Sequence, residues 1–210
     1  MRGDLISSLR ARRNARRLWG DAGRGLMPPP PRAFASFGTG ALIVPPSRVQ
    51  APECIWIGDN TQINELTWLC VVPQPDRPAP RLVIGARNTI NRFIKIVCAG
   101  EVVIGDECGI SDHTYIADTH YRFDDPELPI MAQPLAEPRP VKIGHRVFIG
   151  YRTVVRPGVT IGDNAYIGAG SVIDADVPPR TVVVGDPARA VRRYDDARKA
   201  WVKAEDQRPT

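Results

Sequence analysis

From residue 143 to residue 178 the chain repeats a six-residue pattern without a gap: IGHRVF, IGYRTV, VRPGVT, IGDNAY, IGAGSV, IDADVP. The first position is always Ile or Val, and the fifth is Val, Thr, Val, Ala, Ser and Val in turn. The same frame returns upstream in sets of three. Ile57, Ile63 and Leu69 lead one set, Ile84, Ile90 and Ile96 a second, and Ile104, Ile110 and Ile116 a third. A period of six is foreign to an amphipathic helix, whose apolar residues recur at three or four. It predicts short strands joined by turns, three blocks making one triangular coil of about 18 residues. The aliphatic leader and the smaller fifth residue face inward, and Gly and Asn supply corners that need positive φ. Five coils and a partial sixth, stacked at ~4.8 Å, give a rod of about 25–30 Å. The expected fold is all-β, a parallel β-helix.

Two segments break the frame. VPQPDRPAPR, residues 72–81, is rich in proline, which cannot continue a hydrogen-bonded ladder, and is expected to bulge outward. A longer excursion at 121–140 carries Pro126, Pro129, Pro134, Pro138 and Pro140. Loops of that length on a rigid frame commonly carry function. His120 stands at its root, in IADTHYRF.

The charge is uneven. Residues 1–32 hold eight Arg against two Asp, a net of +6, whereas the whole chain is +5, leaving −1 for the other 178 residues. A near-neutral body argues against nucleic acid as a partner. LISSLRARRNARRLW, with Leu5, Ile6, Leu9 and Leu18, reads as a short amphipathic helix. Two readings stay open for it: a solvated helix packed on its neighbour, or attraction to an anionic membrane or lipid-linked substrate. PPPPRAF reads as a stiff connector, and DDARKAWVKAED as a short helix anchored by Trp201. The expected organisation is therefore a basic arm over 1–50, a β-helix over 51–193 with its loop at 121–140, and a tail over 194–210.

No apolar run approaches the ~18 residues of a membrane span, and no apolar stretch follows the N-terminal arginines as a secretory signal requires. Cys54, Cys70, Cys98 and Cys108 form no CxxC pair and read as buried thiols of a cytoplasmic protein.

The hexapeptides resemble those of the left-handed β-helix acyltransferases, above all the bacterial sugar O-acetyltransferases that include maltose and galactoside acetyltransferases and polysaccharide-decorating enzymes. The likeness runs from Ile57 to Arg193, through FDDPELPI, PVKIGHRVFIG, RPGVTIGDNAYIGAGSVI and VVVGDPARAVRR. It implies a left-handed coil, a homotrimer, acetyl-CoA as co-substrate, no metal, and transfer to a hydroxyl of a sugar or glycan. It also implies a general-base histidine before the loop, which is His120 here. Imidazole suits that task because its ordinary pKa of ~6.5 lies near cytoplasmic pH. No G-x-S-x-G elbow is present, which favours direct transfer over an acyl-enzyme.

The register departs from the family by one residue. Relatives carry the histidine five positions after the leader. From Ile116 that position is Tyr121, and His120 is the fourth. Either the chain leaves register after Asp118 and turns His120 outward, or Tyr121 takes the catalytic place. Asn91, offset likewise, and His113, Asp118 and Tyr121 are the acceptor-side candidates. On the donor side the resemblance points to Tyr151, Gly168, Ala169, Arg189 and Arg192, although Asp174-Ala175 replaces the relatives' Thr-Lys. The alternatives are an N-acyltransferase acting on an amino sugar or drug, and a non-catalytic β-helix module.

Overall fold

The computed structural model describes residues 26–204, and the proposed helix in the N-terminal arm lies outside them. The chain winds into a three-sided parallel β-helix whose faces are three stacked sheets. The first face holds Ser36–Phe37, Ile55–Ile57, Arg81–Ile84, Glu101–Ile104, Val141–Ile143 and Thr160–Ile161. The second begins at Leu42–Ile43 and runs to Tyr166–Ile167 before the C-terminal strands join it. The third runs from Arg48–Gln50 to Val172–Ile173.

The block leaders stack on one another. Ile57, Ile84, Ile104, Ile143 and Ile161 are ladder partners in turn on the first face. Leu69, Ile96, Ile116, Val155 and Ile173 do the same on the third. These columns form the core, where each fully buried aliphatic side chain contributes about 1.5–3 kcal/mol. Away from the two excursions most fifth positions are buried too, and where they are polar they serve the corners. Thr61 Oγ1 donates to the Gly85 carbonyl at 2.6 Å, and Ser171 Oγ to the Gly168 carbonyl at 2.7 Å.

Gly40, Gly158, Gly170, Asn60 and Asn164 take the positive φ expected of the corners, but the glycines of the IG pairs serve another purpose. Positive φ falls on the residue two after the glycine, as at Asn60, Arg87, Glu107 and Arg146. The glycine itself is required by close approach: a Cβ at Gly105 would stand 2.6 Å from the Gly144 carbonyl oxygen of the next coil.

Two boundaries are corrected. The ladder starts at Ser36 rather than at 51, because Phe37, Ile43 and Val49 already act as leaders, paired with Ile57, Ile63 and Leu69. The tail, as far as residue 204, is not helical. Ala188–Asp195 pairs antiparallel with Thr181–Gly185 and with Ala200–Lys203. The Asp195 carboxylate accepts the Ala197 and Arg198 N–H groups at 3.0 Å and folds DARK as a turn rather than a helix start. Trp201 packs edge-on against Tyr194 at 5.6 Å, on the hairpin and not on the rod.

Candidate active site

The third-face strand Tyr115–Ala117 is the last regular structure before the long loop. Its ladder ends where Asp118 N–H donates to the Val97 carbonyl at 3.2 Å. In the strict frame residue 120 would be a buried fifth position. Instead Asp118 and Thr119 are buried and His120 is exposed, so the chain leaves register at Asp118.

Asp118 explains the departure. Its side chain turns back under the preceding coil, where Oδ1 accepts the Ala99 N–H at 2.9 Å and Oδ2 the Gly100 N–H at 2.7 Å. Burial pushes its carboxyl above the ordinary carboxylate range, against the pull of those N–H groups. Asp118, expected on the acceptor side, is thus committed to a corner of the rod.

The loop then returns alongside its own root. Arg139 N–H donates to the Asp118 carbonyl at 2.7 Å, Thr119 Oγ1 to the Ala136 carbonyl at 2.9 Å, and Ala136 N–H to the His120 carbonyl at 2.9 Å. Tyr121 bridges Leu135 and stays 46% exposed, as a loop-root residue beside the histidine.

His120 Nδ1 lies 2.8 Å from the Tyr121 carbonyl oxygen. A carbonyl only accepts, so this contact assigns the proton to Nδ1, and the neutral ring keeps its lone pair on Nε2. The imidazole opens on a cleft of about 380 Å³ lined by Arg77, Arg122, Phe123, Asp124 and Glu137, among others. Arg77 pairs with Glu137 at 3.0 Å, and Arg122 with Asp124. Pattern reading missed Arg77, Phe123 and Glu137. They lie in the two Pro-rich excursions, where no period exists to place them.

The other candidates gather on a different edge of the prism, between the second and third faces. His113 stacks on Phe93 with ring centroids 4.6 Å apart, and Tyr151 meets His113 edge-on at 5.4 Å. One coil further, Gly170 N–H donates to the Tyr151 carbonyl at 2.7 Å, beside exposed Ala169 and buried Gly168. Asn91 lies higher on that edge, its Oδ1 accepting from Asn64 Nδ2 at 3.2 Å. Within one chain, then, His113 and Asn91 do not share the His120 cleft. Arg189 and Arg192 are exposed on the terminal hairpin, Arg189 3.5 Å from Asp174. Among the described residues no group of three or more His, Cys, Asp or Glu side chains converges as a metal site.

Coil, repeat and loop-root histidine together define a hexapeptide-repeat β-helix. Residues 140–175 match the family described as bacterial transferase hexapeptide (six repeats). The chain is 50% identical over 62 residues to the galactoside O-acetyltransferase of Escherichia coli (strain K12), covering 30% of each. It is 33% identical over 122 residues to the putative lipopolysaccharide biosynthesis O-acetyl transferase WbbJ of the same strain, covering 55% of this chain and 62% of that one. These matches span less than two thirds of either relative. Among solved structures, a galactoside acetyltransferase in complex with coenzyme A superposes with a TM-score of 0.55 at 29% identity, over 82% of this chain and 74% of that one. AntD, an N-acyltransferase from Bacillus cereus, in complex with dTDP and 3-hydroxybutyryl-CoA, reaches 0.64 at 23% identity, over 76% and 83%. At that identity the AntD likeness concerns the fold. The chain is thus a relative of the hexapeptide-repeat transferases, and its homologues include a galactoside O-acetyltransferase and a putative lipopolysaccharide biosynthesis O-acetyl transferase.

Proposed function

We propose that the protein is an acyltransferase that moves an acetyl group from acetyl-CoA to a hydroxyl of a sugar or glycoconjugate, with His120 as general base. The observation that carries this reading is the exposed imidazole at the loop root, with Nδ1 tied to the Tyr121 carbonyl. Nε2 takes the proton of the acceptor hydroxyl as its oxygen attacks the thioester carbonyl. The C–O bond forms, the C–S bond breaks, and the imidazolium returns its proton to the departing CoA thiolate. The oxygen that carries charge in the tetrahedral intermediate is met by a backbone N–H of the cleft.

On this reading the coil is left-handed and the working unit is a homotrimer. The His120 edge of one subunit faces the edge bearing Asn91, His113 and Tyr151 on the next. Such a crevice reunites residues that a single chain keeps apart. The acyl donor lies along Tyr151, Gly168 and Ala169, with its phosphates toward Arg189 and Arg192. Gly170 leaves open space at that edge, since a Cβ there would meet nothing within 4 Å. Asp174 already sits beside Arg189, so CoA phosphate competes with a carboxylate for that guanidinium. An acetyl-CoA donor sets the reaction in the cytoplasm, and the basic arm gives a lipid-linked acceptor an anionic-surface contact. No helix among the described residues is long and apolar enough to cross a membrane.

The test is thiol release from acetyl-CoA with parallel panels of sugars and amino sugars. Sugar-dependent release with an ester product supports the proposal. An amide product with amino sugars alone shows an N-acyltransferase, and no turnover with no CoA binding shows a module without catalysis.

A further inference from the structure

We infer that Arg77 is a positioning residue for the His120 base, clamping the return limb of the 121–140 loop against the segment that carries the imidazole. The inference rests on the acyltransferase reading above. Arg77 belongs to the shorter Pro-rich excursion, where its N–H donates to the Gln74 carbonyl at 3.3 Å. Both excursions leave the rod at the end of a third-face strand, one after Trp68–Val71 and the other after Tyr115–Ala117. The coil between them turns this edge tightly at Ala99 and Gly100, the corner that Asp118 caps. The return limb packs on that corner as well, for a Cβ at Gly100 would stand 2.7 Å from Pro138 Cβ.

The two excursions meet at Ala136. Arg77 Nη1 donates to the Ala136 carbonyl at 3.3 Å, and Nη2 pairs with the Glu137 carboxylate at 3.0 Å. The same carbonyl accepts Thr119 Oγ1 at 2.9 Å, and the Ala136 N–H is bonded to the His120 carbonyl at 2.9 Å. One planar guanidinium therefore fixes two successive residues of the return limb, and the first of them holds the backbone of the base. The ion pair is the weaker part, since the Glu137 side chain is 82% exposed and such pairs are screened. The carbonyl contact is the part that sets geometry, because the Arg77 side chain is only 27% exposed. A misplacement of ~1 Å at a reacting group costs on the order of 100-fold in rate.

The experiment compares Arg77→Ala, Arg77→Lys and Glu137→Gln with the unaltered protein in full length. It reads acetyl-CoA-dependent thiol release and the NMR resonances of the His120 ring, assigned by their loss in His120→Ala. Arg77→Ala is expected to lower kcat on the order of 10–100-fold with the KM for acetyl-CoA within about twofold, and to shift the His120 ring resonances. Arg77→Lys, which keeps the charge but ends one atom short of Nη1, recovers only part of the rate, and Glu137→Gln, which removes only the screened ion pair, lowers kcat less than Arg77→Ala does. Should Arg77→Ala fail to fold, Arg77→Gln replaces it. An unchanged kcat in Arg77→Ala overturns the inference. So does a lost rate with unmoved His120 resonances, which makes Arg77 a substrate contact instead. A wild type that turns over no acetyl-CoA defeats the acyltransferase reading alone. The resonances then still decide the clamp, supported if they move and overturned if they do not.

Discussion

Asp118 Oδ2 accepts the Gly100 N–H at 2.7 Å, across the step from one coil to the next. The same carboxylate holds the Ala99 N–H, so one side chain satisfies two backbone donors at a corner it does not belong to. Asp118→Ala strands both donors, and each unsatisfied buried group costs about 1–3 kcal/mol. The expected loss is roughly 2–4 kcal/mol, read as a lower denaturant midpoint with an unchanged m-value.

The pH dependence of that stability has a definite sign. Burial raises the folded pKa of Asp118 above its unfolded value of ~3.9. The folded state then holds the proton longer than the unfolded state does. The contribution is fully present below pH ~3.9 and is lost as pH rises through the folded pKa. Asp118→Asn removes this slope. The stability of wild type relative to Asp118→Asn should therefore fall as pH rises from about 3.5 toward neutrality, as thermal melts at fixed ionic strength will show.

Cys98 is buried, and its thiol is pushed up to about 12 by burial, with the nearby Asp118 carboxylate adding to the effect. The unfolded thiol ionises near 8.5 while the folded one stays protonated, so stability falls as pH rises between about 9 and about 12. Burial raises the Cys54, Cys70 and Cys108 thiols as well. A disulfide reagent at pH 8 should label Cys98 and Cys108 only slowly in the native protein, and all four cysteines rapidly after unfolding.

Corner glycines differ in what they tolerate. A methyl at Gly105 meets backbone at 2.6 Å, whereas one at Gly170 meets nothing and is opposed only by a φ of +70. Gly105→Ala should cost about 1–3 kcal/mol and Gly170→Ala about 1 kcal/mol, ranked by urea unfolding.

On the donor side, Arg189→Ala combined with Arg192→Ala should raise the KM for acetyl-CoA by roughly tenfold, the equivalent of one charge-assisted hydrogen bond to phosphate. The kcat should stay close to wild type, because the proposed function puts both arginines at the CoA phosphates and neither at the reacting carbonyl.

The rod was legible because its period is strict: Ile57, Ile84, Ile104, Ile143 and Ile161 are leaders in the sequence and ladder partners in space. The first coil was not, because Phe37, Ile43 and Val49 lead it without the IG pair. The tail misled because DDARKAWVKAED has helical composition, while its pairing depends on the neighbouring strand Ala188–Asp195. At the site, the one-residue offset announced a break in register, and the exposed His120 fits the outward alternative. The role of Asp118 was hidden, since its partners Ala99 and Gly100 lie a full coil away. The Arg77 contact was hidden for the same reason, spanning two segments that have no period.

The most direct test of the central claim is steady-state acetyl transfer by His120→Ala. With Nδ1 held by the Tyr121 carbonyl and Nε2 as the base, kcat should fall by about 10²–10⁴-fold while the KM for acetyl-CoA stays within about twofold. Tyr121→Phe should retain nearly full activity. A His120→Ala enzyme that transfers acetyl groups at the wild-type rate would contradict the account.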